Sequence, residues 1–479
     1  MTASLRPVQA FVPPTDENNK MTCTPRLLPL LLSIGLASAS FPSLAQVSAD
    51  EAARLGNDLT PMGAEKAGNA DNSIPAWSGK WRGTPPHVSF AGTGHKRPDP
   101  YAGEKPLFTI TAQNMAEHAS RLSDGQKALF KRYPQTYRIV VYPSHRDFRY
   151  SQEVEHNIRY NALNAQLVND GYGVTNAYGA SPFPVPKNGY ELIWNHNLPS
   201  RAWKEEATYL MALTFSNQNR VFEKVRYQIL SPWDNPSGKA EAYDGIQAYA
   251  MISTLEPTRK KGEIILTNEF SNPVAQPRQS WQYIPGTRRV RRAPTVGYDT
   301  PYGVGGFRVM DEDRLFNGAP DRYQWKLVGK QEMYIPYNNY TLDDPDQPLD
   351  TLLTEHGHLN PDAVRYELHR VWVLEAELRP GSRHTYAKRR LYLDEDSWTA
   401  ALADNYDAKG QLWRTNVQTS VYAYEVQAFH ARVAVFHDLI AGSYLVDRLV
   451  NGMGATARLN DARFDAGYFS AGNLRKLGQ

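Results

Sequence analysis

The chain of 479 residues contains one cysteine, Cys23, placed ahead of the first apolar run. Everything after it therefore lacks disulfides, thiolate metal ligands and a cysteine nucleophile. An excess of one charge is missing too, since 53 basic residues face 50 acidic ones. With no basic helix interleaved with aromatics, nucleic acid is not an expected partner. No long hydrophobic run follows residue 45, so no transmembrane segment is expected in the mature chain. Internal repeats and low-complexity linkers are absent. So are Gly-x-Ser-x-Gly and His-Glu-x-x-His signatures. No catalytic residue, metal ligand set or cofactor is expected.

What is present begins with a processing signal. From Met21 the order is basic at Arg26, apolar from Leu27 to Ala39 with Pro29 inside, then Ser43-Leu44-Ala45. That is the charged, apolar, small-residue order of a secretory signal. Residues 1–45 are read as the signal region, with cleavage after Ala45 and Met21 as the true start. Cys23 leaves with the signal, so the mature chain is not a lipoprotein. Export together with a cysteine-free mature chain suits the periplasm.

The remainder is globular, at 41% apolar and 22% charged residues. A single domain is expected over 46–479, with an irregular and helical part at 46–185 and a strand-rich body at 186–450. Residues 46–110 are rich in Gly, Pro, Asn and Asp and read as an arm lying along the body. Ser123-Asp124-Gly125-Gln126 is a capping box opening a helix that stops before Pro134. A second helix starts near Ser151, carries Val154, Ile158 and Ala162 on one face, and is expected to end at Gly171 and Gly173.

From about residue 188 the period is two. Expected strands are Tyr190–His196, Thr208–Phe215, Arg220–Leu230, Gly262–Asn268, a pair around Pro285, Gln324–Ile335, Leu368–Leu378, Arg389–Leu393, Thr399–Tyr406, Leu412–Thr419 and Val421–Phe436. The fold class is α+β with one large antiparallel sheet.

The stretch Ser280–Tyr302 draws attention. Trp281 and Tyr283 share a strand face, Pro285-Gly286 fits a type II turn with φ > 0 at Gly286, and Arg289 and Arg291 share a face beyond it. These arginines fit either a solvated face or an anionic headgroup. Trp325, Leu327 and Met333 alternate on one strand, and Trp372 and Leu374 on another. With 28 Tyr, 10 Trp and 16 Phe, the aromatics fit ordinary sheet cores or an aromatic-lined cavity. The acidic runs Asp311-Glu312-Asp313, Asp343-Asp344-Pro345-Asp346 and Asp394-Glu395-Asp396 lack calcium-loop spacing and read as solvated turns. Glu355-His356-Gly357-His358 has no third ligand fixed by spacing, so it reads as loop histidines.

Several of these residues also form a longer pattern. Trp281–Pro294, Phe316–Lys330, Tyr334–Tyr340, Leu59–Ala64, Arg365–Trp372 and Asp394–Trp398 resemble the uncharacterised bacterial family called domain of unknown function 1329. The resemblance spans nearly the whole mature chain. It implies a fold like the LolA/LolB lipoprotein carriers: a curved, incomplete barrel with helices covering the concave face. It also implies traffic in hydrophobic, lipid-like cargo beside envelope export or outer-membrane partners. On that reading Trp281, Tyr283, Trp325, Leu327, Met333, Trp372 and Leu374 line the cleft, and Arg289 and Arg291 meet the headgroup. The alternatives are a soluble docking subunit of an envelope export complex and a periplasmic hydrolase.

Overall fold

The computed structural model describes residues 47–293 and 297–478; the signal region, with Cys23 and Ala45, lies outside them. One 16-stranded sheet organises the rest. From one edge its order is Phe108–Ile110, Ile139–Val141, Tyr366–Leu378, Lys388–Asp394, Ala400–Tyr406, Leu412–Ala423, Ala428–Asp438 and Ser443–Leu449. It continues through Lys204–Thr214, Arg220–Leu230, Ile246–Glu256, Ile264–Phe270, Gln279–Ile284 and Arg289–Arg292. The 14-residue strand Tyr323–Pro336 pairs along Tyr366–Leu378. All long ladders are antiparallel, and the ends do not meet, so the sheet stays open. The expected α+β class with a large antiparallel sheet is what forms. Among the described residues no helix is long and apolar enough to cross a membrane.

The expected capping box is complete. Ser123 accepts from the Gln126 N–H, and the Gln126 side chain accepts from the Ser123 N–H. The helix that follows starts unusually close to the sheet. Gly125 donates its N–H to Asp404 (3.1 Å), and a Cβ there would run into Asp404 and Thr415. Gly125→Ala is expected to cost about 1–3 kcal/mol; denaturant unfolding that shows no loss would contradict this packing.

Several local expectations are corrected. Tyr190–His196 is not a strand but part of the helix Gly189–Asn197. Asn188 caps it by accepting from Tyr190 and Glu191. The helix is buried on nearly every side, which removes the polar stripe that marks a helical period. The second helix ends at Asn164 rather than at the glycines; Gln166–Val168 and Gly173–Thr175 form a small hairpin instead. The turn after Tyr283 is longer than a type II turn. Thr287 and Arg288 both donate to the Ile284 carbonyl, and Arg288 rather than Gly286 takes the left-handed conformation (φ 52°). The run Val421–Phe436 is broken by a turn at 424–427 into two strands. Ile246–Glu256 and Ser443–Leu449 are strands that the alternation did not reveal.

The acidic runs are corrected too. Asp311, Glu312, Asp343, Asp394, Glu395 and Asp396 are all buried. Arginines distant in sequence reach most of them. Arg389 Nη1 lies 2.9 Å from Asp311, Arg432 Nε 2.6 Å from Asp343, and Arg146 Nε 2.7 Å from Asp396. A buried carboxylate keeps its charge only with such partners.

Candidate functional site

Residues opposite one another across an antiparallel ladder share a face. Two rows can therefore be traced across the strands from Arg220 to Arg292. One row runs Ile229, Ala250, Thr267, Ser280, and beside it Tyr227, Ile252, Ile265, Gln282, Arg291. The alternate row on the other face includes Met251, Leu266 and Trp281, next to Ile264 and Tyr283. That second face is closed. Met251, Ile264, Leu266 and Tyr283 pack with Phe464, Phe469 and Leu474 from the chain's C-terminal end.

The first face is only partly covered. Ile229, Ala250, Ile252 and Ile265 remain half-buried and floor a cleft. Its other wall is the segment 297–318, in which Gly303, Gly305 and Gly306 adopt left-handed φ of 78°, 66° and 64°. The cleft contains about 820 Å³ of space between atoms, part of it open to solvent; about 100 Å³ admits a water-sized group. A long acyl chain needs the wall to move outward.

The wall is cationic. Arg201, Arg278, Arg308 and Arg314 all line the cleft. Arg308 pairs with Asp447 (3.0 Å) and lies over the Tyr302 ring (4.7 Å). Arg278 is paired to Glu269 at 2.5 Å and stacks on Tyr298 at 4.6 Å. Arg448 takes Asp313 at 2.6 Å, and Arg314 meets the same carboxylate only at 4.0 Å. Burial, reinforced by Arg201, pulls the Arg314 guanidinium down to about 9. Buried N–H groups on Arg278, Arg308 and Arg314 have no hydrogen-bond partner among the described residues. The two cleft carboxylates, Glu269 and Asp313, are both ion-paired, which leaves no unengaged carboxylate pair for glycosidic hydrolysis there.

The residues singled out in the sequence lie elsewhere. Trp281 and Tyr283 are on the closed face against the C-terminal helix. Trp325, Leu327, Trp372 and Leu374 belong to the main core, with the Trp325 Nε1 donating to the Pro320 carbonyl (2.8 Å). Met333 is on the opposite side of its strand from Trp325 and Leu327. Leu327 faces Leu374, but Gly329 faces Val373, so Val328 is an extra residue. This bulge reverses the alternation, and Met333 faces His369. Arg289 and Arg291 are exposed on the edge strand, at the end of the cleft-floor rows. None of the seven apolar candidates lines the cleft. The strand Ile246–Glu256, which supplies four cleft residues, is one of those the pattern missed.

His358 does not share a ligand with His356. Its two ring nitrogens engage Thr136 Oγ1 (2.9 Å) and the Leu359 carbonyl (2.8 Å). The broad depression around them is open and polar, without an apolar floor.

His196 ties the cleft wall to the sheet. Its Nε2 lies 3.0 Å from the Phe316 carbonyl, and its Nδ1 accepts from the Ala400 N–H at 3.1 Å. This pattern needs a neutral ring. Burial, aided by Arg314, lowers its pKa to about 3, and burial lowers His437 to about 3. Below the ordinary histidine value near 6.5, the unfolded chain takes up protons that these folded sites refuse. Their stability contribution is complete above about pH 6.5 and is lost as pH falls towards 3. Buried acids act in the opposite sense. Burial raises Glu191 to about 7 and Asp234 and Asp404 to about 6, so their contribution is present below the ordinary carboxylate range and lost as pH rises through those values. The difference between His437→Gln and the parent isolates one term. The variant should gain about 2–3 kcal/mol relative to the parent between about pH 6.5 and 4.5. A pH-independent difference in unfolding free energy would contradict a neutral, buried His437.

Fold and site together define an open-sheet protein with an apolar, arginine-walled cleft on one face. The chain belongs to the family described as "Protein of unknown function (DUF1329)", whose model matches residues 109–475. Uncharacterized protein PA3922 of Pseudomonas aeruginosa is 43% identical over 426 residues, spanning 87% of this chain and 91% of that protein. Among solved structures, a DUF1329 family protein from Desulfovibrio piger aligns at 16% identity and a TM-score of 0.40, over 60% of this chain and 97% of its own. A putative outer membrane lipoprotein-sorting protein domain from Vibrio parahaemolyticus aligns at 15% and 0.42, over 60% and 98%. The LolA superfamily protein NE2245 from Nitrosomonas europaea aligns at 12% and 0.34, over 60% and 98%.

Proposed function

We propose that this protein is a periplasmic carrier that shelters the apolar part of an anionic, lipid-like molecule in its cleft, in transport directed to the outer membrane. One observation supports this above the rest. On strands whose other face packs against the C-terminal segment, this face leaves Ile229, Ala250, Ile252 and Ile265 half-covered and facing arginines with unused N–H groups. The isoleucines fit a hydrocarbon, which gains about 0.8 kcal/mol per buried methylene. The guanidinium groups fit a carboxylate or phosphate head, which they can grip bidentately. Arg289 and Arg291 extend the positive surface along the cleft floor to the sheet edge. Such a molecule cannot cross an aqueous compartment unshielded.

The test is to purify the mature protein from periplasm without detergent and extract it with solvent. Mass spectrometry should find an acidic amphiphile near one equivalent, absent from a mock purification. A protein that is empty and also fails to take up fatty acids or phospholipids from vesicles would overturn the carrier reading. Weight would then pass to a docking subunit of an export complex.

A further inference from the structure

A cluster remote from the cleft carries an inference of a different kind. Val371 and Asp394 are the last ladder pair between Tyr366–Leu378 and Lys388–Asp394. His369, two residues before Val371, shares the sheet face of Asp394. Asp396 lies in the turn that follows, and His369, Asp394 and Asp396 each offer a ligand atom within 4.8 Å of the others. All three are buried, at 1%, 2% and 7% exposure.

The charges around them do not balance locally. Asp396 accepts from Arg146 Nε and Nη2 at 2.7 and 2.9 Å. Glu395 has Lys330 at 2.8 Å and Arg370 at 3.2 Å. Glu367 has Arg365 at 2.6 Å and His369 at 3.1 Å. Among the described residues Asp394 has no ion-pair partner, and neither of its carboxylate oxygens finds a hydrogen bond. Ser397 and the Asp396 amide lie close by, but not in hydrogen-bond geometry. An unpaired buried carboxylate is costly unless something cationic meets it.

The histidine is prepared as a ligand. Its Nε2 faces the Glu367 carboxylate, and the Tyr337 ring stacks on it at 3.9 Å. Glu367 is itself fixed by Arg365, Asn338 and the His145 amide. A carboxylate behind one ring nitrogen orients the other, Nδ1, as a lone-pair donor.

We propose that His369, Asp394 and Asp396 bind a divalent first-row transition-metal ion. The imidazole nitrogen disfavours magnesium and calcium, which prefer all-oxygen shells. Asp394 supplies a free carboxylate, while Asp396 shares its remaining lone pairs with the ion beside Arg146. The ion ties the Tyr366–Leu378 strand to the turn after Asp394. The N-terminal arm reaches that turn as well, because Trp398 Nε1 donates to the Met62 carbonyl at 2.9 Å. The site is thus a structural staple between two neighbouring strands, at the turn on which the arm packs, and is separate from cargo binding.

The experiment uses the full mature chain, stripped with a chelator and then offered Zn²⁺ or Mn²⁺. Elemental analysis after gel filtration should find one equivalent of one of these ions, with a rise in Tm of several degrees. His369→Gln and Asp394→Asn should each lose both effects, whereas exposed His356→Ala should keep them. Metal-free Asp394→Asn should unfold no earlier than the metal-free parent, because it removes an unpaired buried charge. That makes its loss of metal distinct from misfolding. A parent that retains neither ion and shows no Tm response would overturn the proposal and make Asp394 a buried neutral acid. Full metal retention by Asp394→Asn would overturn it as well.

Discussion

Arg97→Ala is expected to lower the free energy of unfolding by about 3–5 kcal/mol. Arg97 belongs to the irregular arm, yet it is only 2% exposed. Its Nη1 contacts Asp343 at 2.9 Å, its Nε contacts Glu425 at 3.2 Å, and its Nη2 donates to the Ala457 carbonyl at 3.3 Å. Asp343 is held from its other side by Arg432 (2.6 Å), which in turn donates to the Tyr209 hydroxyl (3.0 Å). Removing Arg97 leaves Glu425 without its cation and the Ala457 carbonyl without that donor. The cost of such truncation lies mainly in the charges left behind. Arg97→Lys should recover only part of the loss, since an ammonium cannot reproduce the fork. Denaturant midpoints with an unchanged slope would report it cleanly. A loss below about 1 kcal/mol would show that water replaces the guanidinium and that the arm is not fastened here.

Neighbouring positions on one strand should give opposite phenotypes. Ile252 is half-buried on the cleft floor; Met251, beside it, is fully buried on the closed face. Ile252→Arg should weaken binding of a fluorescent fatty acid about 100-fold, the equivalent of three or four methylenes losing their cover. Its stability should change by less than about 1 kcal/mol, because the long side chain can send its charge to solvent. Met251→Arg should instead unfold the region against Leu266 and Leu474, since no water reaches that side. Equal retention of the fatty acid by Ile252→Arg and the parent would remove the cleft as the binding site. Loss of binding by Met251→Arg alone would point to the C-terminal packing instead.

Arg220–Leu230 was legible to the residue, and the Ser123 capping box was legible from four letters, because both are local rules acting without competition. Gly189–Asn197 was not, since a helix buried on nearly all sides carries no stripe to read. The cleft was hidden for a related reason. Ile264, Ile265 and Leu266 are all apolar, and nothing in their chemistry states that only the middle one faces an opening. Register decides it, and one inserted residue at Val328 is enough to reverse it for Met333. The buried acids were misread as surface turns because their arginine partners are distant in sequence, as with Asp311 and Arg389. An unexplained surplus of arginine on otherwise apolar strands, at Arg389 and Arg432, was the one available signal.

The seam of the sheet joins Ser443–Leu449 to Lys204–Thr214, and Arg458 and Leu459 pair with Glu206 and Glu205 of that same early strand. The arm is closed by equally late residues: Thr93 Oγ1 accepts from the Leu459 N–H, and Arg97 reaches Ala457. During synthesis, then, the strand Lys204–Thr214 waits for Ser443–Leu449, more than two hundred residues later, before it has both neighbours. Contacts so distant in sequence make the final closure slow and late. A chain built this way does not lock its sheet while still emerging from the ribosome.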